Sequence, residues 1–237
     1  MIINKVYHLA DLHIRNLQRH KEYRLVFKKF LKQVKEDNIE DSIIYLAGDI
    51  AHAKTEMSPE LIHEISWFLT ECAKLRETVV ITGNHDCNLN NSHRLDVLTP
   101  IIDNLNNDRI HYLRDTGVYN IYNLTFCVYS ILDDKENWPK GNTVVGENTI
   151  CLFHGPVNKA QTDIGYTVSS NSFQVDMFDG FDMAMLGDIH KRQTFGPGYE
   201  HIAYAGSMVQ QNHGEMLENH GYLLWDIPTR TFTEHHI

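Results

Sequence analysis

No apolar run in the 237-residue chain approaches the roughly 18 residues needed to span a membrane. The four cysteines (Cys72, Cys87, Cys127 and Cys151) are scattered, with no CxxC pair among them. That spacing argues against a zinc ribbon or a disulfide framework and suits a reducing compartment, with each cysteine a small residue in or near a core. The start, MIINKVYHLADLH, lacks the long apolar stretch and small-residue cleavage site of a secretory leader. The expectation is an intracellular protein, in cytoplasm, nucleus or an infected host cell, with no membrane association. Repeats, low-complexity tracts and Pro/Gly/Ser linkers are also missing, so residues 1–237 read as a single domain. Hydrophobic residues at 42% and charged residues at 22% are ordinary for a globular protein.

Charge is unevenly spread. The formal net charge is −10, yet residues 1–35 hold nine Lys/Arg against Asp11 and Glu22 alone, a local +7. A basic patch on an acidic body suits contact with a phosphate backbone. The other reading is a solvated helix face, and sequence alone leaves both open.

A strand followed by a polar turn, often with a helix after it, recurs along the chain. Lys5–Ala10 is apolar-rich and runs into Asp11-Leu12-His13. Tyr23, Val26, Phe27, Phe30, Leu31 and Val34 recur every three or four residues, an amphipathic helix over 21–36. Ile43–Ala47 reads as a buried strand entering Gly48-Asp49. Ser58-Pro59 marks a helix start, with Leu61, Ile62, Ile65, Phe68, Leu69 and Cys72 on one face. Thr78–Thr82 leads into Gly83-Asn84-His85-Asp86, and a helix is expected from about His93, bent or ended near Pro100. Short strands fill Ile110–Ile131. Thr149–Phe153 ends in His154-Gly155, and Met183–Leu186 ends in Gly187-Asp188-Ile189-His190. Further strands follow from Ala203 to Phe232, with Gly206 and Gly221 at turns. This order predicts an α/β fold of layered mixed sheets flanked by helices.

Ligands gather at the carboxyl ends of strands in open α/β sheets. Here five separate strands end in D-x-H, GD, GNHD, HG and GDIH, in that order. Singly, each His or Asp is an ordinary turn residue. Jointly they supply carboxylate, imidazole and amide oxygen, a donor set suited to Mn²⁺, Fe²⁺ or Zn²⁺. Asp11, His13, Asp49, Asn84, His154, Asp188 and His190 are seven ligands, too many for one tetrahedral centre. They fit two ions with one bridging carboxylate, and such a pair, about 3.5–4 Å apart, can clamp a phosphoryl group and generate hydroxide.

The ordered set resembles the calcineurin-like metallophosphoesterase family, over about Val6 to Gly221. The resemblance implies that Asp11, His13 and His190 hold one metal, Asn84, His154 and Asp188 the other, and that Asp49 bridges them. His85 would stabilise or protonate the leaving oxygen, with Asp86 orienting it. The chain departs from the family at GDIH, where GHxH is usual, and carboxylate at Asp188 favours manganese over zinc.

Finer resemblance lies in Ala203–Ser207, Val209–Asn212 with Gly214-Glu215, in Leu186–Gln193, and in Gly48–His52 with Ser58–Glu60. These stretches look like SbcD-type nucleases, the nuclease subunits of the SbcCD and Mre–Rad DNA-break repair complexes. That resemblance implies a Mn²⁺-dependent DNA nuclease, 3′-to-5′ exonuclease and single-strand endonuclease, gated by a coiled-coil, zinc-hooked ATPase subunit of the SbcC/Rad type. Mg²⁺, Fe²⁺ or Zn²⁺ are the other possible ions. Arg15, Arg19, Lys21, Lys191 and Arg192 are candidate DNA contacts. His52 is a candidate phosphate contact or a loop histidine without a role. Homodimerisation through residues 58–75 and 93–105 is open. The capping and ATPase-binding regions usual in such nucleases are not expected in the chain. Two rivals stand beside this reading, a nucleotide or small-molecule phosphodiesterase or phosphatase on the same scaffold, and a non-catalytic binding scaffold.

Overall fold

The structure is a computed structural model and describes residues 1–169 and 171–237. In chain order it contains β1 (Lys5–Leu9), α1 (His20–Asp37), β2 (Ser42–Ala47), α2 (Pro59–Leu75), β3 (Glu77–Ile81), α3 (Leu98–Leu105) and β4 (Ile110–Tyr112). The second half is strand-rich, with β5 (Gly117–Ile121), β6 (Leu124–Tyr129), β7 (Thr149–His154), β8 (Met183–Gly187), β9 (Gln193–Thr194), β10 (Ile202–Tyr204), β11 (Gly221–Asp226) and β12 (Thr231–His236).

The strands form two six-stranded mixed sheets, ordered β12-β11-β1-β2-β3-β4 and β5-β6-β7-β8-β10-β9. In the first sheet β1 to β4 pair in parallel out to the β4 edge, with β11 and β12 antiparallel on the other flank; in the second β6-β7-β8-β10 pair in parallel, with β5 and β9 antiparallel at the margins. Alternation along each strand builds the layers. Tyr7, Leu9, Ile44 and Leu46 face the helices, while Val6, Ile43, Tyr45 and Ala47 meet Phe126, Leu152, Met185 and Trp225 between the sheets. The outer face of the second sheet is covered by irregular chain carrying Trp138, Phe173, Phe178 and Phe181. Among the described residues no helix is long and apolar enough to cross a membrane.

The helices lie where the apolar spacing put them. In α1, Tyr23, Phe27, Phe30 and Val34 are buried, and Phe27 stacks on Phe68 of α2 with ring centroids 4.1 Å apart. Each such fully buried ring contributes about 1.5–3 kcal/mol. Ser58 caps α2 by accepting from the Leu61 N–H, with Pro59 in the first turn. Ile62 departs from the expected face and is 40% exposed, because it lies about 100° around the helix from Leu61.

The third helix corrects the sequence reading. It begins at Leu98 rather than near His93, and Pro100 lies inside its first turn. A first-turn proline removes no helical hydrogen bond, because those N–H groups have no acceptor in the helix. The start is fixed by buried Asp96, whose carboxylate accepts from the N–H groups of Leu98 and Thr99 and from the Thr99 hydroxyl. The same carboxylate takes the Arg114 guanidinium at 2.8 Å, tying α3 to the turn before β5. Replacing Asp96 by Ala strips a buried partner from Arg114 and a cap from α3. The expected loss is about 3 kcal/mol in urea unfolding, and a change under 1 kcal/mol would deny the carboxylate this role.

Candidate metal centre

Every ligand expected from sequence lies at or just past the carboxyl end of a central strand. Asp11 and His13 follow β1, Asp49 follows β2 and Asn84 follows β3, all in the first sheet. His154 ends β7, and Asp188 and His190 follow β8, in the second. The loops of the first sheet are laced to one another. His13 N–H donates to the Asp49 carbonyl (2.8 Å), Ile14 N–H to Ile50 (2.9 Å) and His52 N–H to Ile14 (3.1 Å). From α1, the Tyr23 hydroxyl donates to the His13 carbonyl at 2.7 Å. Four ligands take left-handed backbone conformations, Asp11 (φ 53°), His13 (φ 45°), Asp49 (φ 52°) and Asp188 (φ 95°). Such conformations are unfavourable for residues with a Cβ, and their clustering marks a site held by its surroundings.

The side chains converge in two groups about Asp49. Its Oδ2 lies 3.4 Å from His13 Nε2 and 3.4 Å from His154 Nε2, the placement a bridging carboxylate needs. On one side His13 Nε2 is 3.0 Å from His190 Nε2, and each lies 3.9 Å from Asp11 Oδ1. On the other, His154 Nε2 is 3.0 Å from Asn84 Oδ1 and 3.8 Å from Asp188 Oδ1. Asp11 also groups with Asp49 and His154, so it faces both halves.

Hydrogen bonding sets which nitrogens point inward. His154 Nδ1 donates to the Ala47 carbonyl at 2.6 Å, so in the neutral ring Nε2 carries a lone pair. That lone pair faces the oxygens of Asn84 and Asp49, all acceptors. Acceptors do not gather at 3.0–3.4 Å without a positive charge between them. His190 repeats the device, with Nδ1 donating to Glu215 Oε1 at 2.7 Å. An outer carboxylate on a ligating histidine fixes its tautomer and raises its basicity. The residues therefore fit two divalent ions.

Electrostatics point the same way. Burial pushes the Asp11 carboxyl up to about 6, helped by Asp49 and Asp188 and opposed by His154 and His190. Burial would also raise Asp49, but His154, His13 and His85 outweigh it and hold it well below the usual carboxylate range. For His154, burial opposes the charged ring and the surrounding carboxylates prevail, raising it well above the ordinary value. The cluster demands cationic charge.

Around this core, two expectations need correction. Asp86 does not reach the His85 ring. Its buried carboxylate accepts from the N–H groups of Gly83 (2.9 Å), Ala51 (2.9 Å) and Ile50 (3.3 Å), locking the second loop to the third. The His85 ring is oriented instead by the His52 carbonyl, which accepts from Nδ1 at 2.6 Å, and the His85 N–H donates to Asp49 Oδ1 at 2.8 Å. Arg192 is turned into the fold, 7% exposed, with Glu234 at 3.2 Å and the carbonyls of Ala205 and His235 as acceptors. It is no free cation for DNA.

The remaining basic candidates differ among themselves. Arg15 donates to His52 Nε2 (3.2 Å) and the Gln211 carbonyl (2.8 Å), both neutral, and among the described residues Lys191 reaches only Gln161 Oε1, at 3.5 Å. Arg19 is matched by Glu22 while also donating to the Gln210 carbonyl, and Lys21 is exposed on α1. The other Lys/Arg of α1 lie mainly on its solvent face. Burial and the Arg15 charge lower the His52 pKa, leaving a neutral ring beside His13 and His85.

Glu215 is the functional residue that sequence reasoning missed as a site member. It is buried, holds His190, and accepts from Gln211 N–H (2.7 Å) and Asn212 Nδ2 (2.7 Å). Its only sequence signal was its place in the Gly214-Glu215 pair that follows Val209–Asn212.

The chain belongs to the calcineurin-like phosphoesterase family, whose profile matches residues 4–192. Membership makes it a metallophosphoesterase, a hydrolase of a family that typically binds two divalent ions. It is 43% identical over 238 residues to the uncharacterized protein R555 of Acanthamoeba polyphaga mimivirus, matching 95% of this chain but only 17% of that protein. The chain thus spans about a sixth of the relative's length. In fold it is similar to TT1561 of Thermus thermophilus, with a TM-score of 0.57 at 10% identity over 99% of both chains.

Glu215→Gln should weaken Mn²⁺ binding about tenfold in calorimetric titration, and unchanged affinity would reduce Glu215 to a loop strut. Asp49→Ala should abolish paired binding and activity together. Retained activity would exclude the bridge.

Proposed function

We propose that the chain is a Mn²⁺-dependent DNA nuclease of the SbcD type, with 3′-to-5′ exonuclease and single-strand endonuclease chemistry in double-strand-break processing. One observation carries this reading. The SbcD-like stretch around Val209–Glu215 is built into the metal centre, where Glu215 orients His190 and the carbonyls of Gln210 and Gln211 hold Arg19 and Arg15 at the rim. Arg15 and Lys191 hydrogen-bond only neutral partners among the described residues, so their charge is available to phosphates flanking the scissile bond.

The chemistry divides among named groups. Two divalent ions held by Asp11, His13, Asp49, Asn84, His154, Asp188 and His190 would polarise the phosphoryl group and lower the pKa of water towards neutrality. Asp49 and Asp11 would offset the charge of those ions. His85, its Nδ1 proton anchored on the His52 carbonyl, can carry a second proton on Nε2 and give it to the departing sugar oxygen. His52 serves this step through its carbonyl, while its ring, accepting from Arg15, orders that guanidinium. Asp86 holds the loop from which His85 projects. A coiled-coil ATPase as partner and self-association through the helical face remain extensions of the same resemblance.

The direct test is cleavage of end-labelled single- and double-stranded DNA in Mn²⁺. His85→Ala should lower cleavage by at least about a hundredfold while both ions still bind, and loss of metal instead would make His85 a ligand. Raising salt should suppress DNA cleavage more than hydrolysis of a small nitrophenyl diester. Diester turnover without any DNA cleavage would transfer the protein to the small-molecule phosphodiesterases.

A further inference from the structure

Beside the metal centre, on the side of Asn84, His154 and Asp188, opens a cleft of about 410 Å³. Its volume lies within the roughly 300–1,000 Å³ of small-molecule sites. The far wall is aromatic and apolar, made by Trp138, Phe173, Leu89 and Ile131. Trp138 is clamped in a stack, 4.8 Å from Tyr129 and 5.9 Å from Phe173 between centroids, and its indole N–H donates to the Ser130 carbonyl at 3.2 Å. The wall is thus preformed. At the rim stand the carboxylates of Asp133 and Asp134, the former held by the Asn137 amide at 2.7 Å.

None of these wall residues has a part in metal binding or proton transfer, yet the cleft is continuous with three ligands. We propose that it is a nucleobase subsite, taking the base of the nucleotide whose phosphate lies on the metal centre; this rests on the phosphodiesterase reading above. A preformed wall of aromatic and aliphatic carbon suits a heterocycle, which the Phe173 ring and the edge of Trp138 can flank. Carboxylates at the edge suit the exocyclic amino groups of adenine, cytosine and guanine, which thymine lacks. The carboxylates of Asp133, Asp134 and Asp188 outnumber the ammonium of Lys135, which also lines the cleft and donates to the Ser172 carbonyl at 2.6 Å, so a second phosphate is disfavoured there.

The test uses the emission of Trp138. Of the other two tryptophans, Trp225 is buried between the sheets and Trp67 lies under Arg24. In Mg²⁺ the protein is titrated with 2′-deoxyadenosine 5′-monophosphate, thymidine 5′-monophosphate and 2-deoxyribose 5-phosphate. The adenine nucleotide should bind about tenfold tighter than the base-free sugar phosphate, a difference of about 1.4 kcal/mol, with the thymine nucleotide between them. Trp138→Phe should remove the emission change. Leu89→Ala, at a half-exposed loop position, should weaken the adenine nucleotide about threefold and leave the sugar phosphate unmoved. Equal affinity for nucleotide and sugar phosphate, no saturable binding, or an emission change that survives Trp138→Phe would overturn the subsite. DNA cleavage measured in parallel separates the two readings. Cleavage without base preference would sink the subsite alone, and base preference without cleavage would sink the nuclease alone.

Discussion

The hydrogen bond from His154 Nδ1 to the Ala47 carbonyl is the contact on which the centre depends. His154 ends a strand of the second sheet and Ala47 ends one of the first, so this bond joins the sheets at the edge where the ligands collect. It also decides which nitrogen faces inward. Two glycines permit it. A Cβ at Gly48 would lie 2.6 Å from His154 Nδ1, and one at Gly187 would lie 2.7 Å from it and 2.1 Å from the Ala47 oxygen. The glycines of GD and GDIH thus have a steric reason beyond turn-making, since only a bare backbone lets ring and carbonyl meet.

Once that link is set, the rest is a problem of concentrated charge. Asp11, Asp49 and Asp86 are buried within one cluster, with Asp188 partly so. Backbone N–H groups absorb part of the load. Asp188 N–H donates towards the Asp11 carboxylate at 3.1–3.2 Å, and three others bind Asp86. What they leave must be met by cations. The strained backbone of four ligands is held by the same lacing, so the geometry is prepared before any ion arrives.

Much of this was legible in the sequence, for a physical reason. Strands β2, β7 and β8 are buried along their whole length, and β1 and β3 in all but their first residue, which writes them as apolar runs ending abruptly in polar ligands. Contacts between distant segments left no such trace. His190 finds Glu215 25 residues on, and Arg192 finds Glu234 42 residues on, pairs that no periodicity announces. The start of α3 was misplaced because Asp96, not an apolar repeat, determines it. The division into two sheets between Tyr112 and Gly117 was equally silent, since a chain leaving one sheet for the next uses ordinary turn residues.

The strand order has a consequence for how the molecule comes into being. One flank of β1 is completed by β11, whose Gly221 is 216 residues downstream of Lys5 in the numbering. At ribosomal speeds of about 5–20 residues per second, β1 waits roughly 10–45 s for that neighbour. Through that interval the strand leading to Asp11 and His13 has an open edge, a template for pairing with other chains. Completion of the first sheet around the ligand loops therefore lags synthesis of β1 by that interval, and crowded polysomes or slowed elongation would be where this fold is most vulnerable to misassembly.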